Sequence, residues 1–309
     1  MLGEQACEAL TIVQNNSFDQ STQACLGVTS RGNEIWLNQE LMECQVKILT
    51  GFIEPHFFAG FSGHGKAIMP GMAGQETVLR NHSPRNIADP KATWGITWGN
   101  PIWEEIREIV QQAGDCFLLN VTLNRDKEIT GVFAGDLDQA HARGCEFVRQ
   151  TAMAPVEEPF DVVVTTNSGY PLDLNLYQAV KGMSAAAQVV REGGAILCAA
   201  ECWDGIPEHG LYGKLLKEAG SPQALLDIVM APGYLKQDSW QAQIQAQIQL
   251  RADVFVHSEY LTEDQIRDAL LKPAPSLENT LDELVGRYGR SARICVLPEG
   301  PQTIPYLRH

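Results

Sequence analysis

The residues best equipped for chemistry crowd into one stretch, Gly51 to Ser83 (GFIEPHFFAGFSGHGKAIMPGMAGQETVLRNHS), which holds six glycines, a lysine and three of the chain's seven histidines. Histidine shuttles protons near neutral pH and is the commonest nitrogen ligand for metals, and a lysine set among glycines can be desolvated enough to act as a covalent anchor. His56, Lys66 and His82 are therefore candidates for proton transfer, anchoring and metal ligation. A lone histidine is more often packed or exposed than functional, so the three groups occurring together carry the argument. Gly60, Gly63, Gly65, Gly71 and Gly74 would let the backbone approach a ligand and expose N–H donors, which makes Gly63 and Gly65 candidate cofactor contacts.

Gly60-Phe61-Ser62-Gly63-His64-Gly65-Lys66 also satisfies the phosphate-cradling pattern G-x-x-x-x-G-K. That chemistry needs Ser or Thr next, to hold magnesium, and the chain has Ala67. Ile68-Met69-Pro70-Gly71 then breaks the helix whose N-terminus should face the phosphates. A P-loop-like nucleotide site is the minor alternative.

The elements that must position these groups follow from periodicity. Gln45–Thr50, Asp161–Thr166, Ala195–Ala200 and Ala292–Leu297 read as buried parallel strands. Helices are expected over Pro101–Ala113, Leu137–Thr151 and Asn175–Val190, and over QAQIQAQIQL (241–250), where Ile244 and Ile248 share a face. Strands alternating with helices predict an α/β fold: two α/β domains with mainly parallel sheets and an active-site cleft between them. APVEEP (154–159) reads as the connection. It separates a first domain, 1–155, from a second, 160–292, with the terminal segment 293–309 expected to rejoin the first.

Twenty-three basic against 38 acidic residues leave a net charge of −15, which repels nucleic acid and anionic membrane surfaces. No apolar run is long enough to span a bilayer and the N-terminus lacks a signal-peptide pattern, so a cytoplasmic location is expected. Eight cysteines without a C-x-x-C pair read as reduced, packed thiols, and Cys198 with Cys202 makes at best half a metal site.

EPHFFAGFSGHGK, IMPGMAG and NHS are followed by GNPIWEEIREI (99–109), LNVTLNRDKEITGVFAGD (119–136), TNSGYPLDLNLYQAVKGMSAA (166–186), AAECWDGIPEHG (199–210), DSWQAQ (238–243) and LPEGPQTIP (297–305). In this order they resemble the nickel-dependent lactate racemase family. The resemblance implies racemisation of a small 2-hydroxy acid, lactate or a related acid, with a nickel-pincer nucleotide as cofactor, a pyridinium mononucleotide with thioamide and thiocarboxylate arms. It assigns Lys66, ten residues after the P-H histidine, as the thioamide anchor, His82 as the nickel ligand and His56 as one of two general acid/base residues. Gln178 and Lys181 would bind substrate, and Tyr177 and Trp240 would shape the pocket. Enzymes that make the cofactor would be partners in the cell.

That chemistry suits the problem, because the C2–H of a 2-hydroxy acid is only weakly acidic. Removing hydride instead gives a planar 2-keto acid that can take hydride back on either face, while a base holds the hydroxyl proton. Lys181 offers a cation for the carboxylate and Gln178 a neutral donor one helical turn away.

Two departures from the family pattern matter. His64-Gly65 stands where a basic residue or a second glycine is common, so His64 is expected to affect the cofactor environment or the substrate range. The family's second catalytic histidine, in a G-T-H motif, and a substrate-binding arginine have no counterpart here. The chain alone is therefore expected to be inactive as a racemase, with a non-catalytic relic or cofactor-binding protein as the alternative. His141, His209 and His257 are expected to be structural or on the surface, with His209 of GIPEHG a possible cleft residue.

Overall fold

A computed structural model describes residues 3–208 and 210–308, so His209 lies outside the described residues. It is a mixed α/β structure with mainly parallel strands. In the second half, the parallel strands Lys272–Pro273, Asp253–His257, Val190–Ala199, Phe160–Thr166 and Ile294–Leu297 lie side by side in that order. Both faces are covered. Val163 and Ile196 join the main core with Val180 and Met183 of helix Leu176–Ala187, while Val162 and Ala195 pack on Leu284 of helix Leu277–Tyr288. Continuous Val/Ile runs are what sheets covered on two sides require.

In the first half, Lys47–Phe52 pairs in parallel with Cys116–Leu123, which pairs antiparallel with Ile129–Asp136. One face of this sheet, including Leu49 and Leu118, is buried, and helix Leu137–Ala152 packs against the two later strands. Helix Pro101–Gln112 starts where expected: Asn100 accepts from Ile102 and Trp103 N–H, Pro101 follows, and Ile102, Ile106, Ile109 and Val110 are buried.

Segment 293–309 departs from expectation. Ile294–Leu297 is the edge strand of the second sheet, in register from Ile294 opposite Val162 to Leu297 opposite Thr165. Only Ile304–Leu307 turns back, pairing in parallel with Met153–Val156, so part of the presumed linker is itself a strand. Ile294–Leu297 takes the edge beside Phe160–Thr166 and gives that sheet its fifth parallel strand. Buried residues from Ile35 to Ile304 form one apolar cluster, which joins the two halves. Among the described residues no helix is long and apolar enough to cross a membrane.

Candidate active site

Three first-half elements bring their nitrogen groups together. His56 ends strand Pro55–His56, which pairs with Gly60–Phe61, and Lys66 sits in the 3-10 turn His64–Ala67. His82 caps the C-terminus of helix Gln75–Asn81. Lys66 Nζ lies 3.4 Å from His56 Nε2. The backbone N–H groups of Phe58 and Ala59 point at His56 Nδ1, at 3.5 and 3.2 Å, and hold the ring with Nε2 toward Lys66. The His82 ring stands edge-on to Phe58 and to Trp240, with centroids 5.0 and 5.2 Å apart.

All three groups have their pKa values lowered. Burial, then the charge of Lys181, pulls Lys66 down to about 8, and it forms no ion pair among the described residues. Burial, then the charge of Lys66, pushes His82 down to about 3. The helix C-terminus behind His82 favours a cation by only about 0.3–1 kcal/mol, too little to offset that burial. His56 is driven well below its usual range by burial and by the charges of Lys66, Lys181 and His82.

His82 Nδ1 lies 3.2 Å from the carbonyl of Val78, which can only accept. The ring proton is therefore on Nδ1, and the Nε2 lone pair is available to a metal.

The opposite wall comes from the second half. Asn175 caps helix Leu176–Ala187 by accepting from Gln178 N–H, which sets Tyr177, Gln178 and Lys181 in its first two turns. Lys181 Nζ is 6.0 Å from the Phe57 ring centroid. Its pKa is lowered by burial and partly restored by Glu54. Trp240, opening helix Ser239–Arg251, donates from Nε1 to Tyr177 Oη at 3.0 Å. Trp94 Nε1 to Ser184 Oγ at 3.1 Å and Gln243 Nε2 to Pro84 O at 2.9 Å tie the walls together.

Residues 1–95 match the family model described as lactate racemase N-terminal domain, and residues 156–304 match the lactate racemase C-terminal domain. The chain is 35% identical to the lactate racemase of Thermoanaerobacterium thermosaccharolyticum over 304 residues, which are 98% of this chain and 71% of that protein. This chain belongs to the lactate racemase family. It is also 37% identical over 300 residues to the lactate racemase of Lactiplantibacillus plantarum, covering 96% of this chain and 70% of that one. It superposes on the lactate racemase apoprotein from T. thermosaccharolyticum with a TM-score of 0.94 at 34% identity, over 99% of this chain and 73% of the other. A Thermotoga maritima protein shares the fold, with a TM-score of 0.70 at 18% identity.

Within this family member, the structure brings His56, Lys66, His82, Lys181, Tyr177 and Trp240 into one connected group. Gln178 is on the same helix, half-buried.

Gly63 and Gly65 also meet a packing demand. A Cβ on Gly63, at φ +77°, would lie 2.4 Å from Asn120 Oδ1, and one on Gly65 would lie 2.4 Å from Val110 Cγ2. Their lack of side chain lets the lysine turn nest into the protein. The P-loop alternative fails, because Lys66 lies in a single 3-10 turn and the next α-helix begins only at Gln75.

His64 is turned away from the cleft group. Its Nε2 meets Asp138 Oδ1 at 3.0 Å, Asp138 also receives Arg107 Nε and Nη2, and the ring lies 4.9 Å from His141, which is likewise buried. Burial lowers His64 despite Asp138, so Nε2–H donates to the carboxylate and Nδ1 is left without a partner.

One further feature carried no signal in the sequence. Glu54 has its carboxyl pushed up by desolvation and pulled back by Lys181. It stands two residues before His56, a spacing that places both on one side of an extended chain. Cys198 and Cys202 are buried thiols raised by burial, Cys202 to about 12, and no cluster of three or more potential ligands occurs among the described residues.

Proposed function

We propose that this chain forms the cofactor-anchoring and substrate-binding part of a racemase acting on lactate or a closely related 2-hydroxy acid, with a nickel-pincer nucleotide attached to Lys66. The observation that carries it, beside family membership, is the trio of buried nitrogen groups with lowered pKa values on one side of the site. An amine must be neutral to be acylated, and Lys66 titrates near 8 rather than 10.5. A metal takes an imidazole lone pair, and the Val78 carbonyl leaves that of His82 Nε2 free. The residues thus fit the group: Lys66 would hold its organic part and His82 its nickel, while Cys198 and Cys202 are spectators. When bound, the nucleotide supplies a reversible hydride acceptor.

The protein's own groups do the rest. Lys181 takes the substrate carboxylate, with Gln178 as a neutral donor beside it. Tyr177 and Trp240, locked to each other, shape the pocket and limit water. His56 exchanges the hydroxyl proton as the C2 hydrogen leaves with its electron pair. Attachment at Lys66 converts the amine to an uncharged thioamide, which removes one of the cations that hold His56 neutral. The domains, 1–155 and 160–292, meet across this cleft. The substrate is a small molecule, neither nucleic acid nor membrane takes part, the cofactor-making enzymes are the cellular partners, and the site of action is the cytoplasm.

The mechanism is tested with 2-deuterated L-lactate and the cofactor-loaded protein joined to the part of the racemase that this chain does not span. The product D-lactate should retain the C2 deuterium, because hydride is returned rather than exchanged. Wash-out of deuterium into solvent would show deprotonation and sink the hydride route. The 309-residue chain by itself should give no interconversion, since it supplies one acid/base histidine to a reaction that uses two. Interconversion by the chain alone would show that a second base is already present.

A further inference from the structure

Beside the segment that carries His82 lies a separate cavity of about 430 Å³, lined by Arg31, Asn33, Arg80, Ser83 and Arg85 of the first half and by Leu235 of the second. Its volume falls within the roughly 300–1,000 Å³ of small-ligand sites. It shares no lining residue with the group around Lys66. The His82 ring meets Phe58 and Trp240, whereas Arg80 and Ser83, on either side of His82 in the chain, line the cavity.

Three guanidinium groups on one small space repel one another, and in a chain of net charge −15 they stand out. Their local partners do little to neutralise them. Arg31 and Arg80 meet Glu104 and Glu76 only at 3.7 and 3.8 Å, in partly exposed pairs too long for hydrogen bonds. Arg85 forms no ion pair among the described residues. The one carboxylate on the cavity, Glu105, is 2% exposed and is committed elsewhere, accepting from Thr29 Oγ1 at 2.8 Å and Asn81 Nδ2 at 2.9 Å. A second observation is independent of charge. Asn33 is 4% exposed and donates from Nδ2 to Thr77 O at 3.1 Å, yet its Oδ1 has no hydrogen-bond partner. A buried acceptor left unpaired is costly, and a ligand hydroxyl in the cavity would supply the missing donor.

We propose that this cavity binds a small phosphate monoester bearing a free hydroxyl, at a site distinct from those of the 2-hydroxy acid and of the nucleotide on Lys66. One guanidinium fork satisfies a carboxylate, whereas a phosphate offers three oxygens and nearly two charges to three arginines. The overall charge of the chain disfavours a polyanion such as nucleic acid, which leaves a compact ligand. Bound there, the ester ties the Arg80–Asn86 segment to the Leu235 loop and steadies the turn that carries His82. The proposal rests on the cavity and its donors and not on the racemase reading.

Calorimetric titration of the 309-residue chain in low-salt, phosphate-free buffer tests it, with glycerol 3-phosphate, ethyl phosphate and inorganic phosphate as probes. Glycerol 3-phosphate should bind once per chain, about fivefold or more tightly than the other two, which lack its hydroxyls. Arg80→Ala and Arg85→Ala should each weaken it by roughly 10- to 100-fold. Both side chains are exposed, so unchanged circular dichroism will show that the fold survives. Amide exchange across 80–86 and 231–238 should slow on binding. No saturable binding, or binding that the double variant retains, would overturn the proposal. Equal affinity for ethyl phosphate or inorganic phosphate would rule out the hydroxyl-bearing ester as the ligand. Loss of ester binding once Lys66 carries its nucleotide would give the cavity to the cofactor and overturn the proposal too.

Discussion

The two walls of the cleft use the same residue types to opposite ends. On the first-half wall, His56, Lys66 and His82 crowd one another in a poorly solvated space, and their pKa values fall. On the second-half wall, Lys181 has Glu54 to sustain its charge, and Tyr177 and Trp240 satisfy each other. The first arrangement suits bonds that need a lone pair, to an acyl carbon or a metal. The second suits recognition of a charged substrate. The function of a lysine here is set by what stands beside it rather than by its being a lysine.

Substitutions can break this contrast, beginning with the largest effect. In the assembly that racemises lactate, His56→Ala should lower turnover by roughly 10²- to 10⁴-fold, as expected for loss of one general acid/base, with substrate binding far less affected. Steady-state kinetics beside calorimetric binding would separate the two. His82→Ala should cut bound nickel by more than about tenfold while leaving the organic adduct on Lys66, and elemental analysis with intact mass reads both. Equal nickel in variant and parent would remove His82 from the metal.

Lys181→Met should weaken binding of a 2-keto acid by roughly 10- to 100-fold, the worth of a charge-assisted hydrogen bond, and leave cofactor attachment intact. If attachment failed too, the two walls would not be separable. Trp240→Phe is the mildest. Losing the Nε1–H bond to Tyr177 should cost about 1 kcal/mol and a few degrees in Tm, with nickel content unchanged.

Much of this was legible in the sequence because local rules governed it. Asn100-Pro101 and Asn175 announce helix starts, and Val162–Val164 announces a strand buried on both faces. The site residues were legible only through motifs in family order, since nothing in the spacing of Gln178 and Lys181 distinguishes them from a solvated helix face. What escaped was decided by distant partners. Ile294–Leu297 could have completed either sheet, and its own pattern does not choose between their open edges. That Gly63 and Gly65 must also make room for Asn120 and Val110 shows only in the fold. Gln241, Gln243 and Gln245 read as polar positions beside an Ile244/Ile248 face, yet all three are fully buried. Gln243 and Gln245 reach the carbonyls of Pro84 and Ala269, which no periodicity foretells.

The central claim is that Lys66, whose pKa burial lowers to about 8, is the amine built to be acylated. Intact-mass and peptide-mapping spectra of the protein, produced together with the cofactor-making enzymes, test it most directly. The account predicts an adduct of nucleotide mass on Lys66, absent from Lys66→Ala, retained in His82→Ala and indifferent to added ATP. An unmodified mass in the unmutated protein, or an adduct that survives Lys66→Ala, would contradict it.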